Sequence, residues 1–225
     1  SIKEIVKEMF TYADAMTMSS KKDAIVNMGG FIGFKDEDLY KQASVFGIIY
    51  EGFVTYGGMS GRDLEALAIG LYEGVEEDYL EYRINQVAYL GEQLSKKGVP
   101  IILPTGGHGV YVDAQKFYPN IPQSEFPGQA MVVELFKTGG VRGVELGSCA
   151  FSKKNVETGE IIFPDLELVR LTVSRRVYTN RHMDVVVNAL ADVFERRNEM
   201  KGLKLIYEGP IISLRHFTAK FEPIS

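Results

Sequence analysis

Residues 12–30 read YADAMTMSSKKDAIVNMGG, and the character of the chain changes twice within them. Residues 14–20 and 24–34 are β-rich or apolar runs, and they bracket the polar Lys21-Lys22-Asp23. Strand, polar elbow, strand is the reading this pattern predicts. Gly29-Gly30 interrupts the second run and predicts a turn or a close backbone approach. The elbow is also the best local candidate for chemistry. Adjacent lysines disfavour each other's charge, so a partly buried amine of such a pair can be a neutral nucleophile, as imine chemistry requires. Ser19 and Ser20, just upstream, are good donors to a phosphate. The commoner meaning of a lysine pair between two strands is a solvated turn, and the local pattern leaves both readings open.

Outward from the elbow the periodicity is mostly helical. Residues 2–12 carry Ile2, Ile5, Val6, Met9 and Phe10 at helical spacing. A helix over 36–49 is expected behind the acidic cluster Asp36-Glu37-Asp38. A glycine-rich loop follows over 51–62, then a helix from Asp63. A longer helix is expected over 76–97, with Leu80, Ile84, Val87, Tyr89 or Leu90, and Leu94 on its apolar face and Gly98 beyond its end. Beyond it the pattern is α/β. Strands are expected at 99–103, 109–112, 141–148, 166–173 and 203–207. Ser124 is the expected cap of a helix with Pro127 in its first turn, and Thr179 or Asn180 caps an amphipathic helix burying Met183, Val186, Val187, Leu190 and Phe194. Residues 212–221 alternate, with Arg215, Phe217, Ala219 and Phe221 on one face and Leu214, His216 and Thr218 on the other. A domain boundary is expected near residues 74–78.

Composition narrows the function classes. The 225 residues are 45% hydrophobic and 24% charged with a net charge of −5, which is globular and has no basic stripe for nucleic acid. A lone cysteine, Cys149, excludes a disulfide framework and a multi-cysteine zinc site, and packing is its ordinary role. His108, His182 and His216 are not spaced as metal ligands. No GxGxxG opens a helix, and the glycine pairs at 57–58 and 106–107 do not substitute for one. No run of about 18 apolar residues or signal-like N-terminus is present, so a cytoplasmic location is expected. The chain opens at Ser1 in what reads as mid-domain sequence, which suggests a processed product or a fragment.

Three further positions stand out physically. Arg170, inside LVRLTV, needs a partner, and its planar fork suits a carboxylate; the alternative is a strand arginine facing solvent or a structural acid. His108 lies in a glycine turn, where a proton-carrying role competes with none at all. His216 shares its face with Leu214, as a satisfied core histidine would.

Seven collinear blocks carry a resemblance covering essentially the whole chain: the 12–30 segment, YEGFVTYGGMSGRDLEALAIGLYEG, GGHGVYVDA, EFPGQA, VRGVELGS, LELVRLTVSRRVYTNRHMD and LRHFTAKF. Together they resemble the β-eliminating lyases, the family of tryptophanases and tyrosine phenol-lyases. The resemblance implies the aspartate-aminotransferase-like (type I) fold of pyridoxal 5'-phosphate (PLP) enzymes and a homotetramer. Residues 1–75 would be the C-terminal part of the large PLP-binding domain, and 76–225 the small α/β domain. Lys22 is then the PLP-binding and catalytic lysine, with Lys21 near the phosphate and Ser19 donating to it. Asn27 would help hold a monovalent cation, K+, through its main-chain carbonyl. Arg170 would grip the carboxylate of an amino-acid substrate, and His108 would lie near the ring.

Two positions separate the family's members. In tyrosine phenol-lyases, by this resemblance, an arginine stands where this chain has Leu146 and a phenylalanine where it has His216, while tryptophanases carry histidine there. Leu146 withholds a donor from a buried phenol oxygen, a cost of ~1–3 kcal/mol, while an indole accepts an apolar wall. The resemblance therefore implies a tryptophanase-like carbon–carbon lyase of amino-acid catabolism. Tyrosine phenol-lyase and a non-catalytic fragment needing an N-terminal partner chain are the alternatives. The family's opposite phosphate clamp, its pyridine-nitrogen aspartate and its ring-stacking aromatic match nothing in this chain, which would thus be one part of a larger enzyme.

Overall fold

A computed structural model describes residues 1–224, Asp23 through its backbone alone. The chain divides into two compact units, Ser1–Arg83 and Ile84 onward. Helix α1 (Ile2–Thr11) starts where Glu4 reaches back to the Ser1 amine at 2.7 Å. Strand β1 (Ala15–Met18) leads into a single helical turn, α2 (Ser20–Asp23), so the elbow is helical where a plain turn was expected. Strand β2 (Phe31–Phe34) pairs antiparallel with β1, Ala15 facing Phe34 and Met18 facing Phe31.

The strand expected over 24–34 survives only as its last four residues, and the glycine pair is the reason. The Ser20 N–H donates to the Gly29 carbonyl at 3.0 Å, and Gly29 has φ +100°. A Cβ on Gly30 would lie 2.6 Å from the Met18 carbonyl oxygen. The chain is thereby folded back tightly over the elbow, which only glycine allows at both positions. Ala24 and Val26, inside this bend, are buried with Leu67 against Met18, Met59, Ala66 and Leu71.

Helix α3 (Glu37–Tyr50) begins at Asp36, whose carboxylate accepts from the Leu39 N–H at 2.7 Å. It buries none of its residues. Helix α4 (Gly61–Glu73) starts two residues before the expected Asp63, because Ser60 is the cap: its hydroxyl accepts from the Asp63 N–H and donates to the Asp63 carboxylate. Helix α5 (Glu77–Lys96) buries Val87, Leu90 and Leu94 as expected, but Ile84 is exposed and Arg83 buried. At about 100° per residue, Arg83 falls almost in line with Leu94, and Ile84 far to one side.

The second unit has a three-stranded antiparallel sheet. Strand β3 (Gly109–Asp113) is followed by the short α6 (Ala114–Phe117), then α7 (Pro127–Gly139), β4 (Val144–Leu146) and the single turn α8 (Ser148–Phe151). A small ribbon, β5 (Lys153–Lys154) with β6 (Ile161–Ile162), precedes β7 (Leu168–Thr172), the central strand of the order β3-β7-β4. Helix α9 (Asn180–Glu195), capped at Thr179, and the pair β8 (Leu203–Tyr207) and β9 (Lys220–Pro223) complete the unit, with α10 (Arg215–Thr218) between the last two. Alternation along β7 sends Val169 and Leu171 into the core and Leu168, Arg170 and Thr172 to the other face. Val87, Leu90 and Leu94 of α5, Met131 and Leu135 of α7, and Met183, Val187 and Leu190 of α9 cover the inner face.

Three expectations are corrected here. Residues 99–103 make one bridge, Ile101 to Val112, in place of a strand, since Pro100 and Pro104 have no N–H to donate. Ser124 caps nothing: it lies in a 3-10 turn, and α7 starts from Phe126 at φ +54°. Proline drives the residue before it out of helical conformation, so Pro127 fixes the start. The alternating run 212–221 is a strand only at its end. Its middle is α10, where Arg215 is buried and Phe217 is 81% exposed, although the alternation put them on one face. Among the described residues no helix is long and apolar enough to cross a membrane.

Candidate active site

The first unit contributes the elbow. Lys21 and Lys22 are both exposed, and the Lys22 N–H closes the turn onto the Ser19 carbonyl at 2.9 Å. Ser19 is half-buried. Ser20 is wholly buried, and its hydroxyl has no hydrogen-bond partner among the described residues. A buried hydroxyl without a partner costs stability unless something comes to it. The unpartnered Ser20 hydroxyl is a donor left for an anionic oxygen, in an elbow that also exposes two amines. Asn27 is exposed in the bend that closes over the elbow.

The second unit contributes a polar cluster around α8. Glu145, on β4, is fully buried and accepts from the Cys149 and Ala150 N–H groups at 3.0 and 3.1 Å. Burial pushes its carboxyl up to about 7, with the nearby Glu167 adding to the shift and the amide donors opposing it. Glu167 accepts from the Ser148 N–H at 2.9 Å, the Ser148 hydroxyl at 2.5 Å and the Gly128 N–H at 3.3 Å. Arg215 spans the other side: Nε donates to the Cys149 carbonyl at 2.9 Å, and its terminal nitrogens reach Ser148, Ser152 and Glu208. These acceptors explain why 215–218 turns helical, since a buried guanidinium must be satisfied before a strand can be extended. Burial also pushes the Cys149 thiol up to about 11, so it is neutral packing material, as expected from sequence.

His216 meets this cluster. Its Nδ1 is buried and lies 3.5 Å from Glu145 Oε2, within reach of a charge pair but not aligned as a hydrogen bond. Burial holds the imidazole below its ordinary range, and Arg170 lowers it further. Arg170 is opposite Tyr111 and Val144 on the outer sheet face, and its buried Nε has no hydrogen-bond partner among the described residues. Leu146, half-buried, is opposite Leu168 on that same face. His108 is half-buried just before β3, and its carbonyl accepts from the Val173 N–H at 2.8 Å. Glu145, Cys149 and His216 approach one another within 4.8 Å. Two amides already donate to Glu145, and the charges of Arg170 and Arg215 act on the cluster.

Arg170, His216 and Leu146 are thus brought into one unit with an acid that sequence reasoning passed over. Lys22, Lys21, Ser19 and Asn27 share the other. Glu145 had a signal: an acid inside the apolar VEL strand needs a reason as much as Arg170 inside LVRLT does. Ser20 had a weaker one, since two adjacent serines cannot be ranked as donors until burial is known.

The mixed α/β fold has a counterpart of known structure. The fold is shared with L-threonine transaldolase from Pseudomonas fluorescens at a TM-score of 0.53 and 18% identity, over 82% of this chain and 39% of that one. Residues 1–189 match the family model for the β-eliminating lyases, and the chain belongs to that family. It is 50% identical to a tyrosine phenol-lyase of Symbiobacterium sp. (strain SC-1) over 224 residues, all of this chain and 48% of the relative. It is 49% identical to a probable tryptophanase of Aeropyrum pernix over 225 residues, again all of this chain and 48% of the relative. The chain spans about half the length of the curated relatives it matches.

Proposed function

We propose that this chain forms the lysine-bearing, substrate-reading half of a PLP-dependent lyase that converts L-tryptophan and water to indole, pyruvate and ammonia. PLP is the cofactor typical of β-eliminating lyases, and when bound it supplies an electron sink for the substrate's α-carbon. Lys22 would hold it, with Ser19, Ser20 and Lys21 toward its phosphate. The Lys22 amine would be the group to take and return the substrate's α-proton. Arg170 binds the substrate carboxylate bidentately, and its open Nε suits that role. Leu146 gives an aromatic side chain an apolar wall, and His216 meets the ring nitrogen. Asn27 would lend its carbonyl to K+. Residues 1–75 belong in this reading to the large domain and 76–225 to the small one, within the type I fold.

The observation that carries the choice of indole is the pair Leu146 and His216, an apolar side chain and a neutral imidazole in the unit that holds Arg170. The second reading, tyrosine phenol-lyase, is favoured by the names of several relatives, among them the one at 50% identity. Assembly with an N-terminal half, alone or within a homotetramer, is supported by α3, where Phe46, Ile49 and Tyr50 are all exposed on a helix that buries nothing. The test uses the intact protein, or this chain assembled with its upstream half, loaded with PLP. Borohydride should tag Lys22, Lys22→Ala should abolish turnover, and indole release from tryptophan should exceed phenol release from tyrosine. A tag on another side chain refutes the lysine assignment, and faster phenol release refutes the substrate.

A further inference from the structure

Glu145 has no part in the reading above, yet it is the acid that touches His216. It comes from β4 and the histidine from α10, and the contact between them is buried on both sides at Nδ1 and Oε2. We propose that Glu145 is a positioning residue: through Nδ1 of His216 it decides whether the opposite ring nitrogen, Nε2, offers a lone pair or an N–H to a bound ligand. This rests on the reading of His216 as the residue that meets the substrate ring.

The chemistry follows from one proton. At 3.5 Å the two atoms are in contact without a hydrogen bond; when the contact closes, an ionised Glu145 accepts Nδ1–H, and the neutral imidazole presents a lone pair at Nε2. When Glu145 is protonated its O–H donates to Nδ1, and Nε2 must carry the hydrogen. Burial and the neighbouring charges favour the neutral ring over an imidazolium. Arg170, on β7, opposes an imidazolium; Arg215, on α10, spends its donors on α8 carbonyls and Glu208; Glu167, ahead of β7, opposes a second carboxylate; and the α8 thiol, Cys149, is neutral. What titrates is therefore the direction of a hydrogen bond. The switch falls near neutral pH, since the Glu145 carboxyl is pushed up to about 7. An indole N–H requires the lone pair, so recognition of such a ring belongs to the alkaline side.

The experiment is long-range proton–nitrogen NMR of the full chain labelled at its three histidines, His108, His182 and His216, from pH 5.5 to 8.5. The His216 signals should move from the Nε2–H tautomer to the Nδ1–H tautomer as pH rises. In Glu145→Gln, which cannot ionise, His216 should keep a single tautomer at every pH. A single His216 tautomer across the wild-type titration overturns the proposal, and that measurement requires no variant to fold. So does a Glu145→Gln profile that still switches. A tautomer switch in a holoenzyme that releases no indole leaves the positioning role standing and removes the substrate reading instead.

Discussion

The two units differ in how much of their own apolar surface they cover. From Ile84 onward, three helices close over the inner face of a sheet, and Leu90, Leu94, Met131, Leu135 and Leu190 are completely buried or nearly so. In Ser1–Arg83, the core among the described residues is Ala24, Val26 and Leu67, while Val45, Phe46, Ile48, Ile49, Tyr50, Phe53 and Val54 are exposed. Exposed apolar clusters of that kind mark interaction surfaces. The self-sufficient unit holds the residues assigned to substrate, and the unit lacking walls holds the lysine assigned to cofactor. In the proposed reading, then, the two roles fall on units that differ in how far they close over themselves.

The largest expected effect separates the two kinds of surface. Leu190→Ala, in the closed core, should cost about 2–5 kcal/mol of unfolding free energy. Phe46→Ala, on α3, should change the stability of the chain alone by less than about 0.5 kcal/mol. Denaturant melts of both variants measure this. Equal losses would mean that the chain covers α3 itself, and the contrast between the units would be lost. The same Phe46→Ala change should weaken assembly with an upstream half.

The core of the second unit was legible in the sequence because helical spacing and strand alternation both pointed inward there, as at Met183, Val187 and Leu190. The departures share a cause. Arg83 replaced Ile84 on the buried face of α5, Pro127 moved a helix start from Ser124, and Arg215 turned an alternating run into a helix. In each case a backbone constraint or the demand of a buried charge overrode the hydrophobic pattern, and neither demand is visible until the partners are in place. At the elbow the residues were legible and their roles only partly so. Ser19 was singled out, but Ser20 is the hydroxyl that the fold buries.

A middle-sized effect sharpens the picture of the closed unit. Glu145 titrates near 4.5 when unfolded and about 7 when folded, so the folded state holds its proton more tightly. The stability this supplies is complete below the unfolded value and is lost as pH rises through the folded one. Relative to Glu145→Gln, the wild type should therefore lose roughly 2–3 kcal/mol between pH 5 and pH 8. Urea melts across that range measure the difference. His216, held below its ordinary value, slopes the other way, and because it touches Glu145 its own contribution is to be read from a His216→Phe background. A flat difference would mean that Glu145 keeps its charge and that the unit is closed around an ion.

The smallest effect on folding is the most telling for the open unit. Ser20 is buried with its hydroxyl unmatched, so the chain already bears the cost of removing that group from water. Ser20→Ala deletes the unmatched group and leaves the Ser20 N–H bond to the Gly29 carbonyl in place. Stability of the chain alone should then stay level or rise slightly, by no more than about 1 kcal/mol. If the hydroxyl is reserved for a phosphate, the same change in the assembled protein should weaken PLP binding by roughly tenfold or more, the worth of a hydrogen bond to a charged group. Ser19→Ala, at a half-buried position, should do less. A Ser20→Ala chain that unfolds more easily would show that the hydroxyl has a partner within the fold. The elbow would then be complete without a ligand, and the asymmetry between the two units would end at α3.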